Sequence, residues 1–258
     1  MPLALTSEEF AFFHEQGYLV KHGLVPPDQL AEMDRETEDL HDRMATETPP
    51  DVHVAWETYD DPEHRPRIKQ LMNAENVCPT IDRFIRSDAT LDIVEDLLGP
   101  NLSFFHSKLL MKSAEDGTVT PWHQDYGYWS RSNNKPEYLN CMLYIDDATA
   151  ENGCLQVVPG SHKLGLLTHE DRQQAFGRFL PGYFQPREDA ICLEAVGGSA
   201  LFFGPLLIHG SDANRSKRHR RACTTAYNVT GNGDRVYDHR MTMKALRGRQ
   251  EWGVSGNE

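Results

Sequence analysis

"LSFFHSKLLMKSAEDGTVTPWHQD", residues 102–125, holds the two segments on which the fold turns. Its first eleven residues are rich in aromatic and apolar side chains and predict a strand over 102–112. Alternation puts His106, Lys108 and Leu110 on one face, and Phe105, Ser107, Leu109 and Met111 on the other. A polar turn follows, and residues 119–125 predict a second strand. Residues i and i+2 of a strand share a face, so His123 and Asp125 project together while Gln124 turns away. A neutral imidazole beside a carboxylate supplies two ligands of a 2-His-1-carboxylate iron site, which still needs a third.

The β texture continues beyond this pair. Strands are predicted over 139–146, 154–158, 190–196, 199–204 and 221–230, separated by Gly, Pro, Asn and Asp turns. Residues 1–100 read differently. "LTSEEFAFFHEQG" has a Thr/Ser start, early glutamates and a terminal glycine, the signals of a helix. "YLVKHGLV" is short and β-rich, and "PPDQLAEMDRETEDLHDRM" resumes a helical period with proline in its first turn. Residues 47–75 are polar and proline-rich and predict a long surface loop. "TIDRFIRSDATLDIVEDLLGP" gives one or two more helices. The expected fold is mainly β with flanking helices: a double-stranded β-helix, or cupin-like jelly roll, over 101–231. A helical buttress (1–100) precedes it and a polar tail (232–258), mobile at its end, follows, all within one domain over 1–258.

Composition narrows the function. The 258 residues carry a formal net charge of −13, with 39 acidic against 26 basic side chains. Such acidity argues against a nucleic-acid partner, because phosphate neutralisation needs a basic face. Neutral or cationic small molecules suit it better than polyanions. The five cysteines are widely spaced and form no C-x-x-C pair, which fits a reducing cytoplasm better than a disulfide framework. The N-terminus lacks the pattern of a secretory signal, and no stretch has the apolar length of a membrane span.

A distant strand offers the third ligand. In "ALFFGPLLIHGSDANRSKRHRRACTTAYNV", His209 follows an apolar run and precedes Gly210-Ser211, where a side chain turns into a barrel mouth. Eleven residues later stands Arg220, whose planar fork matches a carboxylate and so suggests an acidic cosubstrate.

These pieces, in order, resemble the phytanoyl-CoA dioxygenase family of Fe(II)- and 2-oxoglutarate-dependent oxygenases. The likeness runs through "EEFAFFHEQGYLVKHGLV", "LDIVEDLLGPNLSFFHSKLLMK", "PWHQD", "LYIDDATAENGCLQVVPGSHK" and "HGSDANRSKRHRR". It implies Fe(II) on His123, Asp125 and His209, with Arg220 and the Ser211 hydroxyl on the distal carboxylate of 2-oxoglutarate. It also brings Gln124 near the cosubstrate and places the strand of His106 and Lys108 beside the active site. Arg221 is the competing arginine, which alternation sends to the opposite face. Three ligands on one face of an octahedron leave three positions, enough for a 2-oxo acid and O₂. The retained Asp125 favours hydroxylation, desaturation or ring closure over halogenation.

Tyr126 and Trp129 are expected at the pocket mouth, where Trp129 suits a cation–π contact with a positively charged substrate. With His106 and Lys108 they form the expected substrate wall. Residues 165–189 make a long insertion that predicts a lid, and His162 is expected to hold a local turn. The implied reaction oxidises a polar small molecule, such as an amino-acid or natural-product metabolite, and releases succinate and CO₂. Alternatives are a non-catalytic jelly-roll binding protein, a zinc hydrolase on the same ligands, and an acyl-CoA hydroxylase of the same family.

Overall fold

Thr6 starts the first helix with a reciprocal cap. Its hydroxyl accepts from the Glu9 amide at 3.1 Å, and the Glu9 carboxylate accepts from the Thr6 amide at 2.8 Å. Such a box contributes about 1 kcal/mol. The structure, a computed structural model, describes residues 4–57, 67–115, 117–130, 135–171, 178–182, 184, 189–232 and 244–248. The helices are α1 (Ser7–Gln16), α2 (Pro27–Glu38), α3 (Leu40–Thr46), α4 (Pro79–Arg86), α5 (Asp88–Leu98) and the single turn α6 (Tyr126–Trp129). The first seven strands are β1 (Tyr18–Lys21), β2 (His53–Trp56), β3 (Ile68–Met72), β4 (Leu102–Lys112), β5 (Thr120–His123), β6 (Tyr138–Tyr144) and β7 (Leu155–Val157). The remainder are β8 (Glu170–Asp171), β9 (Arg178–Phe179), β10 (Ile191–Leu193), β11 (Ala200–Phe203), β12 (His209–Ser211), β13 (Arg220–Val229) and β14 (Lys244–Arg247).

The strands form a jelly roll of two antiparallel sheets. The larger runs β1-β11-β6-β13-β4-β3-β2 with β14 also on β4, and the smaller runs β10-β7-β12-β5. Alternation along the central strands divides the core. Leu139, Cys141 and Leu143 of β6 and Cys223 and Tyr227 of β13 face the helices, where they pack with Ile81, Ile85 and Val94. Met142, Tyr144 and Ala222 face the smaller sheet and meet Leu155, Val157 and Leu193. The helices therefore cover the outer face of the larger sheet, and the inner face meets the smaller sheet. No described helix is long and apolar enough to cross a membrane.

Three expectations need correction. The predicted loop over 47–75 contains β2 and β3, which extend the larger sheet beyond β4. In β3 the fully buried residues are Ile68 and Leu71, a spacing of three that conceals a strand from a search for alternation. Within the expected tail, β14 pairs with β4, and Arg247 reaches Asp88, Asp92 and Glu95 of α5; residues 233–243 and 249–258 lie outside the described residues. His162 holds its local turn by its carbonyl, which accepts from the Gly165 amide at 3.2 Å, and not by its ring. The ring Nε2–H donates to the carbonyl of His14 at 3.1 Å, tying the segment before the insertion to α1.

Candidate active site

β5 and β12 lie side by side in the smaller sheet, with His123 and His209 as direct partners. The strand reading of 119–125 fails at its end. β5 stops at His123, and Asp125 already has helical angles (φ −60°, ψ −32°) at the entry to α6. The turn, rather than strand alternation, brings the carboxylate back beside the imidazole. Gly127 lets the His169 ring pack against that turn, because a Cβ there would lie 2.6 Å from the ring.

His123, Asp125 and His209 are all buried, and one ligand atom from each lies within 4.8 Å of the others. His123 Nδ1–H donates to the Pro121 carbonyl at 2.8 Å and His209 Nδ1–H to the Leu207 carbonyl at 2.9 Å. Both bonds fix the tautomer and leave each Nε2 as a lone pair aimed at the carboxylate. The His123 Nε2 is 3.6 Å from Asp125 Oδ1, and the His209 Nε2 is 3.7 Å from Oδ2. The His209 ring is held between His123 and Phe203, with centroids 4.1 and 4.9 Å away.

Electrostatics suit a cation. Burial, reinforced by the like charge of His123, lowers the His209 pKa to about 4, so its imidazole is neutral near pH 7. Burial opposes ionisation of Asp125, but attraction to His209 and His123, with Lys108 adding to it, outweighs burial and holds the carboxyl well below its usual range. One carboxylate and two imidazoles whose Nε2 atoms converge on it form a donor set that fits a divalent iron.

Arg220 and Arg221 part at the start of β13. Arg220 is 2% exposed on the inner face. Its Nη2 donates to the Gly153 carbonyl at 3.0 Å, while Nε and Nη1 have no partner among the described residues. Two orphaned guanidinium donors in a dry interior call for an anion. Arg221 turns outward to Asp146 (2.7 Å) and to Asp34 of α2. Ser211 is buried on β12.

Gln124 does not remain free for a cosubstrate. Its Nε2 donates to the carbonyls of Gly165 (2.8 Å) and Leu206 (2.7 Å), and its Oε1 accepts from the Leu167 amide (2.8 Å). Fully buried, it clamps the insertion and the approach to His209 onto the metal strand.

The substrate wall also differs in detail. A register shift in the β4–β13 pairing makes Ala226 oppose His106 and Tyr227 oppose Phe104, so Phe105 is passed over. Phe105 consequently joins the inner face beside His106 instead of opposing it, and packs on Trp129 and Tyr138. Both ring nitrogens of His106 are buried without a partner among the described residues, and burial together with Lys108 keeps the ring neutral. Lys108 opposes Thr224 and His106 opposes Ala226 on β13, so both side chains share the inner face, and the Lys108 charge is among the lesser causes that shift His106, Asp125 and His209. Tyr126 is half-buried. Trp129 is only 2% exposed, packed among Phe105, His106 and Tyr138 rather than set at a mouth.

The described part of the insertion lies over the cluster. β8 and β9 pair as a hairpin, and the Phe179 ring meets His123 edge-on at 5.8 Å. Arg178 pins the hairpin to the carbonyls of Gly127 and His169. Residues 172–177, between β8 and β9 in sequence, lie outside the described residues. Sequence reasoning missed Phe179 and also Asn140, whose one signal was a polar residue inside the apolar run "YLNCMLY".

A family model described as phytanoyl-CoA dioxygenase matches residues 13–222. A probable phytanoyl-CoA dioxygenase of Caenorhabditis elegans is 28% identical, over 86% of this chain and 75% of its own length. The L-proline trans-4-hydroxylase of Streptomyces griseoviridis is 30% identical over 66% of this chain and 74% of its own. The peroxisomal phytanoyl-CoA dioxygenase of Mus musculus is 31% identical over 84% and 67%. Among solved structures, EctD from S. alaskensis with 2-oxoglutarate and 5-hydroxyectoine superposes with a TM-score of 0.73 at 21% identity, covering 90% of this chain and 79% of its own.

Proposed function

From the premise that the chain belongs to the phytanoyl-CoA dioxygenase family, and is thus a 2-oxoglutarate-dependent non-haem iron dioxygenase, we propose that it hydroxylates a polar small molecule carrying a carboxylate. One observation carries the reading of the site: the buried His–Asp–His cluster shares the inter-sheet interior with an arginine whose Nε and Nη1 lack partners. In this reading His123, Asp125 and His209 hold Fe(II), and Arg220 with Ser211 takes the distal carboxylate of 2-oxoglutarate. When bound, the iron supplies O₂ activation coupled to decarboxylation of 2-oxoglutarate to succinate. The chain's own residues fix the imidazole tautomers, keep Asp125 ionised and, through Phe179 and the hairpin, limit water over the cluster.

Lys108 sets the sign of the substrate. Asp125 is engaged with the cluster, so a bare amine facing Lys108 would meet repulsion, while a carboxylate would be attracted. His106, neutral with both nitrogens unengaged, supplies a donor and an acceptor for a further polar group. An amino-acid-like metabolite satisfies both, and the relative named L-proline trans-4-hydroxylase supports that class. The relatives named phytanoyl-CoA dioxygenase favour a second reading, an acyl-CoA substrate, against which stands the net charge of −13. The five free cysteines support a cytoplasmic location.

The test is succinate release with Fe(II) and 2-oxoglutarate against a panel of amino acids, other small carboxylates, amines and acyl-CoA thioesters. Stimulation by carboxylates is expected, and stimulation by acyl-CoA alone would replace this reading with the second. His209→Ala is expected to lose both iron and turnover; wild-type activity in that variant would remove the cluster from the reaction.

A further inference from the structure

Cys154 and Cys192 stand on neighbouring strands of the smaller sheet, outside the metal cluster. Leu155 opposes Leu193 and Gln156 opposes Cys192, so Cys154 is the diagonal neighbour of Cys192 across β7 and β10. Their exposure differs sharply: Cys154 is 1% exposed and Cys192 faces solvent. β10 is an edge strand of its sheet, free to adjust without breaking a second ladder. Cys141 and Cys223 are also neighbours, but both lie buried in the helix-side core, where no oxidant reaches them.

Cys154 also adjoins the proposed cosubstrate site. The carbonyl of Gly153, the preceding residue, accepts the hydrogen bond of Arg220. Gly153 has little room. Its φ is +75°, and a Cβ there would lie 2.4 Å from the Asp212 carbonyl. A pull on Cys154 therefore passes to the Gly153 carbonyl and to the arginine it orients.

We propose that Cys154 and Cys192 are an oxidisable pair that a hydroperoxide converts to a disulfide, and that closing it weakens the hold on 2-oxoglutarate. The Cys192 thiolate attacks one oxygen of hydrogen peroxide, the O–O bond breaks, and the departing hydroxide takes up the proton that the thiol released, giving Cys192 sulfenic acid and water. The Cys154 sulfur then displaces hydroxide from that sulfur. The S–S bond forms, and the hydroxide leaves as water with the Cys154 proton. Two sulfurs are oxidised by two electrons and one peroxide is reduced; a dithiol reductant reverses the change. Burial pushes the Cys154 thiol up to about 12, which leaves the exposed Cys192 as the first to react.

The test uses the full chain loaded with Zn(II), which takes iron ligands without redox chemistry of its own. After hydrogen peroxide, peptide mapping is expected to find Cys154 joined to Cys192. Calorimetry is expected to show 2-oxoglutarate binding weakened about threefold or more, restored by dithiothreitol. Cys192→Ser should bind 2-oxoglutarate as the reduced wild type does, and should resist both changes. A Cys192 that is over-oxidised without cross-linking overturns the pair. A mapped cross-link with unchanged affinity overturns the coupling. That coupling rests on the reading of Arg220, whereas the cross-link does not. Unchanged 2-oxoglutarate affinity in Arg220→Ala would mark failure of that reading separately.

Discussion

Asn140 donates its side-chain amide to Oδ2 of Asp125 at 2.7 Å, with both residues buried. Asn140 stands mid-strand on β6 with its side chain on the inner face, so a rigid ladder aims the carboxylate. The contact also explains how Asp125 keeps its orientation after leaving the regular strand.

Asn140→Ala is therefore expected to weaken iron binding by about 10- to 100-fold, the usual effect of removing an outer partner of a ligand. Titration of the apoprotein with Co(II), read by its ligand-field bands, measures this directly. An affinity equal to wild type would mean that the turn at Asp125 suffices to aim it.

Arg220 and Arg221 differ by one position and by the whole thickness of the sheet. Losing one member of a buried charged pair costs roughly 2–5 kcal/mol, so Arg220→Ala should raise the 2-oxoglutarate requirement by about thirty-fold to several thousand-fold. Arg221→Ala should leave that requirement nearly unchanged. It should instead cost about 1–3 kcal/mol of stability, because charged hydrogen bonds to Asp146 and Asp34 are lost. Binding titrations and urea melts of the two variants separate the effects. The reverse pattern would assign the cosubstrate to the outer face.

The pairing of His123 with Asp125 was legible because a spacing of two suggests a shared face, but the physical cause is different. The chain leaves β5 at His123, and a helical turn returns the carboxylate. Arg220 was legible because β13 is long and regular, which keeps alternation intact through Ala222 and Thr224. Phe105 was not, since a register shift is set by the partner strand and leaves no mark in the local pattern. Gln124 was expected near the cosubstrate through the family resemblance alone, while alternation turned it away from His123 and Asp125. Its partners, Gly165, Leu167 and Leu206, lie far away in sequence and meet it only in the folded chain. β2 and β3 escaped notice because β2 buries no residue fully and the buried residues of β3 do not alternate.

Lys108 and Trp129 were grouped as one wall, and their surroundings now distinguish them. Trp129→Ala should cost about 3–5 kcal/mol of stability, the range for a large aromatic removed from a core. Lys108 is half-buried, and Lys108→Ala should leave the melting curve and iron binding close to wild type while product formation falls. The ratio of succinate to oxidised product, with a substrate from the carboxylate panel, reads that uncoupling. Equal loss of 2-oxoglutarate binding and product in Lys108→Ala would move Lys108 to the cosubstrate.

Lys112 opposes Arg220 across β4 and β13, 6% exposed, with its Nζ donating to the Asp212 carbonyl at 2.7 Å. Burial, with Arg220 adding repulsion, lowers its pKa to about 7 from an ordinary 10.5. Between those values the unfolded chain holds the proton and the folded chain does not, so stability rises with pH across that window. The increment is fully present above the unfolded pKa and lost as pH falls through about 7. Its slope approaches about 1.4 kcal/mol per pH unit for one proton. Lys112→Met removes the titrating group, so wild type should gain stability relative to the variant from pH 7 to 9.5. Urea unfolding of both proteins at half-unit steps checks this, and two parallel curves would show that Lys112 stays charged throughout, held by its backbone carbonyls.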